Sequence, residues 1–115
     1  MPWKSRFTTH VPQTDLASYM FGSATGELPE SPLILDAAHP DKYWMSHRTY
    51  RSWCKRIALG LKKNGLQPGD RVLLFSGNTI FFPAVFMGVI MAGGIFTGVR
   101  ILDMRLLVTL TRATG

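Results

Sequence analysis

Residues 80–99 carry no charged side chain, and this twenty-residue run limits what the chain can become more than any other feature. Its length meets that of a membrane span. Two architectures therefore compete: one transmembrane helix, or a buried helix that turns into a strand. Pro83, Gly88 and the pair Gly93-Gly94 interrupt the run. Pro is tolerated in the first turn of a helix, where its missing N–H has no partner to lose, and Gly commonly ends helices. A helix from Thr79 to Ala92, stopped by Gly93-Gly94 and followed by a strand Ile95-Phe96-Thr97, accounts for these interruptions better than a continuous span. A small membrane protein spanning near 80–99 is the alternative.

The flanking segments fit the first architecture. Arg71-Val72-Leu73-Leu74-Phe75 is an apolar, β-prone run suited to a strand buried on both faces. Leu66-Gln67-Pro68-Gly69-Asp70 turns into it and Ser76-Gly77-Asn78 turns out of it. Strand, helix, strand in that order predicts a parallel pair with a right-handed crossover. Upstream, Ser46 can cap a helix that runs to about Asn64 and stops at Gly65. Tyr50, Trp53, Cys54, Ile57 and Leu61 fall on one side of it, and Arg48, Arg51, Lys55, Lys62 and Lys63 on the other. Residues 33–36 and 42–45 flank a turn at His39-Pro40-Asp41 and read as two paired strands. Residues 2–32 mix Pro, Gly, Ser and Thr with isolated Leu16, Tyr19, Met20 and Phe21, and read as an extended arm without periodicity. The fold class is α/β: an incomplete parallel sheet over 33–98, preceded by an arm over 1–32 and a short β hairpin. Residues 99–112 read as a short helix within a separate tail, 99–115.

At 115 residues the chain has room for one domain. Its formal charge of +6 raises nucleic acid or an anionic membrane as partners. The bases of the 46–64 helix, however, fall opposite Tyr50 and Trp53, so they read as a solvated face and not as a stacking surface. No nucleic-acid partner is expected, and a basic binding module stays an alternative. His10, His39 and His47 lie at no metal-ligand spacing. Cys54 is the sole cysteine, so no intrachain disulfide can form; it reads as a core filler. The N-terminus lacks the apolar segment of a secretory signal, which predicts an intracellular protein.

Gly65-Leu66-Gln67-Pro68-Gly69-Asp70-Arg71-Val72, then Asn78, then Met91-Ala92-Gly93-Gly94-Ile95-Phe96-Thr97-Gly98, resembles the N-terminal region of adenylate-forming (AMP-binding) acyl-CoA synthetases of the fungal 4-coumarate-CoA ligase-like kind. Met45-Ser46-His47-Arg48-Thr49-Tyr50 stands where that superfamily usually has Leu-Thr-Tyr-x-Glu-Leu. Ser46 replaces the threonine cap, while His47 and Thr49 depart from the pattern, and the missing glutamate removes half of a capping box.

The resemblance implies a two-step reaction. A carboxylic acid attacks the α-phosphate of ATP to give an acyl-adenylate, and the coenzyme A thiol then displaces AMP. Such enzymes manage the developing charge with a Ser/Thr/Gly-rich phosphate loop, magnesium and a lysine. Ser76-Gly77 and Thr79 lack that density and that lysine, so no catalytic, cofactor-binding or metal residue is assigned. ATP, magnesium, coenzyme A and a small carboxylic acid belong to the parent enzyme, which is expected in the cytoplasm or peroxisome. This chain by itself is expected to bind none of these cofactors and to be inactive, with a full-length ligase homologue as a partner. The family usually continues Gly-x-Asn-Pro where Gly98-Val99-Arg100 stands, and a translated intron would explain everything after Gly98. Phe75, Phe81, Phe82 and Phe86 are expected partly in water, leaving the isolated chain marginal or aggregation-prone.

Overall fold

Ser46 ends one strand and opens a helix. In the computed structural model, which describes residues 3–22, 26–99 and 107–111, its hydroxyl accepts the Thr49 N–H at 3.1 Å and pairs with the Thr49 hydroxyl at 2.9 Å. The helix that follows, α2 (His47–Lys63), ends at Asn64, whose backbone and side-chain N–H groups both donate to the Gly60 carbonyl. Gly65 then takes φ 95°, a left-handed value natural only to glycine. Tyr50, Cys54 and Ala58 are buried along one face of α2, with Trp53, Ile57 and Leu61 packed at its margins.

The hairpin strands are β1 (Pro32–Leu35) and β2 (Trp44–Ser46), antiparallel with Leu35 opposite Trp44. Asp36 builds the turn between them: its Oδ1 accepts the N–H groups of Ala38 and His39, both at 2.9 Å.

The arm is not wholly extended. It carries α1 (Leu16–Phe21), a six-residue helix that aperiodic sequence hides. Helices this short do not stand on propensity, so its causes are local caps and one tertiary anchor. Asp15 accepts the Ser18 N–H at 2.8 Å and the Ser18 hydroxyl at 2.6 Å, and Gly22 at φ 62° stops the helix. Phe21 is buried between the rings of His47 and Tyr50, 5.6 and 5.2 Å away. His47 Nε2 also lies 2.8 Å from the Met20 carbonyl oxygen, tying α1 to the first turn of α2.

β3 (Arg71–Phe75) and β4 (Ile95–Val99) pair in parallel from Arg71 opposite Ile95 to Phe75 opposite Val99. Between them lies α3 (Phe82–Met91). It starts later than Thr79 because residues 79–81 form a turn: Phe82 N–H donates to the Thr79 carbonyl and Phe81 N–H to its hydroxyl. That turn brings Pro83 to the start of the helix, where no hydrogen bond is lost. Among the described residues no helix is long and apolar enough to cross a membrane.

Two expectations are corrected. β3 is not buried on both faces. Val72 and Leu74 are fully buried beneath α2 and α3, whereas Leu73 and Phe75 keep partial exposure because no element among the described residues covers the other face with side chains. The tail contains a strand, β5 (Leu107–Thr111), antiparallel to β3, so the sheet order is β4-β3-β5. The expected helix fails at 107–111 because Leu-Val-Thr-Leu-Thr has strand-like composition and alternation, and β3 offers an edge of backbone groups to pair with. The rest of that expectation, from 100 to 106 and at 112, lies outside the described residues.

Candidate functional site

In open α/β sheets ligands bind beyond the carboxyl ends of the parallel strands. Here β3 leads into Ser76-Gly77-Asn78 and β4 ends in Gly98-Val99, and a cavity of about 450 Å³ opens between them, walled by Phe82 and Phe96. The parallel register sets Phe96 opposite Val72, on the helix-covered face. Phe96 meets Phe82 and Phe86 edge-on, with centroids 5.6 and 5.1 Å apart. Gly98 leaves room for this cluster: a Cβ there would sit 3.1 Å from Phe96 and 3.4 Å from Phe82.

Ser76 and the neighbouring Thr79 are turned to the backbone, and Asn78 also lines the cavity. Ser76 is buried; its hydroxyl donates to the Gly77 carbonyl at 2.8 Å and its N–H to the Val99 carbonyl at 3.3 Å. Thr79 Oγ1 accepts the Phe81 N–H. Among the described residues no cation lines the cavity. A nucleoside triphosphate with magnesium needs cationic side chains or a cradle of free amides, and the described residues that line the cavity do not fit that group. A second cavity of about 350 Å³ lies between the hairpin turn and the start of α3. Its one carboxylate, Asp36, already serves the turn.

Among the described residues none of the other reactive residue types converges on the crevice. His10 sits in the arm, His39 packs against Tyr43 beside Asp36, and His47 anchors α1. Among the described residues no three His, Cys, Asp or Glu side chains gather as a metal site. Cys54 is fully buried, and burial pushes its thiol from 9.0 up to about 12. The thiolate is the reactive species, so Ellman's reagent at pH 8 is expected to label the folded chain about 1000-fold more slowly than a free thiol. Rapid labelling without unfolding would show that this packing is wrong.

The opposite, amino-terminal end of the strands holds the recognisable sequence. Asp70 is buried and its Oδ2 accepts the Gln67 N–H at 2.8 Å, folding the turn that enters β3. Gly69 N–H donates to the Gly93 carbonyl and Ile95 N–H to the Asp70 carbonyl, at 2.9 and 2.7 Å. A Cβ on Gly94 would press within 3.1 to 3.3 Å of Val89, Asp70 and Leu66. The turn before β3 and the turn before β4 are thus one interlocked unit.

Fold and crevice together define a strand–helix–strand unit of an α/β fold, with helices on one face of its sheet. Residues 23–102 match the family described as AMP-binding enzyme, and the chain belongs to that family. It is 36% identical over 86 residues to the nicotinic acid-CoA ligase pyr1 of Aspergillus fumigatus, covering 75% of this chain and 15% of that protein. It is 36% identical over 88 residues to the phenylacetyl-CoA ligase epaB of Aspergillus niger, covering 76% and 16%. With 4-coumarate--CoA ligase of Pinus taeda the identity is 38% over 88 residues, covering 76% and 15%. The fold is shared with apo MatB from Rhodopseudomonas palustris, with a TM-score of 0.63 at 22% identity over 76% of this chain and 17% of that one. The chain therefore spans only about a sixth of the length of the relatives it matches. β5 lies beyond the matched segment.

Proposed function

We propose that these residues are part of the N-terminal scaffold of an ATP-dependent acid–thiol ligase, which turns a carboxylic acid, ATP and coenzyme A into acyl-CoA, AMP and diphosphate. In this reading the scaffold contributes no reacting group. One observation carries it: the family match falls on interlocked turns and the strands they join, while Ser76 and Thr79 at the crevice are bonded to nearby backbone. The relatives' names pair carboxylic acids with coenzyme A, which supports those substrates for the whole enzyme. Magnesium follows from the charge of the triphosphate, and these cosubstrates support an intracellular location, cytoplasmic or peroxisomal. The domain reading is an arm over 1–32, a ligase subdomain over 33–98 and a tail over 99–115; the family match runs over 23–102.

The test is a chimera in which residues 33–98 replace the matching segment of the Pinus taeda 4-coumarate--CoA ligase. A scaffold without reacting groups leaves the host's acid preference unchanged and acyl-CoA formation within a few fold. A folded chimera that is inactive, or that prefers another acid, would overturn the reading. The 115-residue chain assayed alone should show no acid-dependent ATP–diphosphate exchange and no rise in melting temperature with ATP; exchange would place reacting groups among these residues after all.

A further inference from the structure

We propose that the outer face of α2, together with the arm that leads into α1, rests on the surface of an anionic phospholipid bilayer. The chain's positive charge is not spread evenly. The arm with α1 (residues 3–22) and α2 hold eight of its thirteen Lys and Arg but one of its seven carboxylates, and that one, Asp15, is bonded to Ser18. The rest of the chain holds five cations and six carboxylates. α2 itself has six cations and no carboxylate. On its outward side stands Leu59, 60% exposed. The four positions that neighbour Leu59 on the helix surface, three and four residues away, are Lys55, Arg56, Lys62 and Lys63. Among the described residues no carboxylate pairs with Arg56, Lys62 or Lys63. Lys62 and Lys63 suit the carbonyl end of the helix, but Arg56 lies two turns earlier, beyond the reach of that effect.

The form of this face selects a lipid surface over a nucleic acid. Cations that grip a nucleic-acid strand are accompanied by rings on which bases stack, and the rings of α2 are committed elsewhere. Tyr50 is buried with its hydroxyl on the Pro83 carbonyl, and Trp53 meets Phe81 edge-on at 5.1 Å with Arg56 over its own ring. What α2 offers instead is an apolar side chain inside a ring of long-stemmed cations. That arrangement fits the boundary between headgroups and acyl chains, where the leucine leaves water while the ammonium and guanidinium groups stay with the phosphates. One leucine is a weak foothold, and the arm adds to it. α1 borders the same helix: Ala17, Ser18 and Gly22 share a small cavity with Arg51 and Lys55. Ahead of α1 the arm carries Trp3, 100% exposed, and Phe7, 86% exposed, with Lys4 and Arg6 between them. Two large rings in water are stabilised by leaving it, and tryptophan in particular favours the bilayer interface. This contact is peripheral and needs no spanning helix.

Sedimentation with vesicles tests the partner. The chain should pellet with phosphatidylcholine vesicles that contain about one-third phosphatidylserine, stay in solution with phosphatidylcholine alone, and be released as salt is raised. Each cation at such a surface strengthens partition about fivefold, so R56Q/K62Q/K63Q should bind on the order of 100-fold more weakly. Its melting temperature should hardly change, because all three side chains are exposed. W3A/F7A should bind at least about tenfold more weakly. A dye tests which face makes the contact. Cys54 is enclosed, so Leu59→Cys and Ile95→Cys each take a thiol-reactive, polarity-sensitive dye at the new position alone. Ile95 precedes Phe96 in β4 and therefore lies on the sheet face turned away from the helices. Vesicles containing phosphatidylserine should brighten the dye at 59 and leave that at 95 unchanged. Equal brightening at both positions would mean that the chain adheres by any side, and would overturn the proposal. So would equal binding to the two kinds of vesicle, undiminished binding by either multiple variant, or a dye at 59 that responds to polyuridylate and not to vesicles.

Discussion

Gly88→Ala will destabilise the chain, whereas Gly60→Ala will stabilise it, although both glycines lie inside helices. An alanine in a helix interior is ordinarily favoured over glycine by about 1 kcal/mol. At Gly60 nothing lies within 4 Å of the new Cβ, so that gain is realised in full. At Gly88 the Cβ would stand 2.7 Å from Ile57 Cγ2, 2.8 Å from Ile57 Cβ and 3.2 Å from the Cys54 carbonyl oxygen. A rotamer change does not relieve a contact with Cβ or with a carbonyl, so α2 and α3 must separate along their shared line. That separation loosens both halves of the core: Cys54 and Met87 on one side, Ala58 and Val85 on the other. Overpacking of this kind costs about 1–3 kcal/mol, and Gly88→Val should cost more because it adds two methyl groups at the same crossing. Against a typical stability of about 5–15 kcal/mol, this is among the larger effects one atom can have. Urea denaturation gives the answer: a lower midpoint at unchanged slope for Gly88→Ala, and a higher midpoint for Gly60→Ala. Midpoints that rise together would mean the helices do not cross at Gly88.

The sequence carried much of this fold because its turns are chemically specific. Asp70 with Gly69, and Gly93 with Gly94, have side-chain and backbone requirements that few other residues meet, and these are the positions on which the family resemblance rests. Ser46 and Gly65 bound α2 for similar reasons. What escaped was set by distant partners. α1 depends on Phe21 reaching His47 and Tyr50, a contact that no local pattern shows, and the caps at Asp15 and Gly22 went unread with it. Five residues reading Arg-Val-Leu-Leu-Phe do not say that helices will cover only the face of Val72 and Leu74. Residues 107–111 suit a strand only once β3 offers its edge. The crevice escaped as well: Phe82 and Phe96 are fourteen positions apart, and the parallel register brings them together over Gly98. That pairing leaves Phe82 less exposed than Phe81 and Phe86, which stay 41% and 37% open to solvent.

Alkaline pH will unfold the chain through two residues one helical turn apart. Burial raises the Cys54 thiol from 9.0 to about 12, and it raises the Tyr50 phenol above its ordinary 10.0, helped by the neighbouring thiol. Both side chains are almost fully enclosed, and the Tyr50 hydroxyl donates to the Pro83 carbonyl at 3.1 Å, a bond its phenolate could not make. In the unfolded chain the two groups ionise near 9 and 10, so above pH 9 that state binds fewer protons than the folded one. Stability therefore falls as pH rises from about 9 towards the folded values, and is untouched by these groups below pH 8. Each pH unit past a group's unfolded value removes about 1.4 kcal/mol. By pH 11 the thiol has crossed two units and the phenol one, a loss on the order of 4 kcal/mol, much of the stability of a chain this size. Melting temperatures taken between pH 8 and 11 should drop steeply for the unaltered chain. In Y50F/C54A the starting stability is lower, because a buried hydrogen bond and some packing are gone, but the alkaline slope should be shallower by the part these two groups supply. An equal slope in both chains would mean that the thiol and the phenol are open to solvent, and that α1, α2 and α3 do not enclose them.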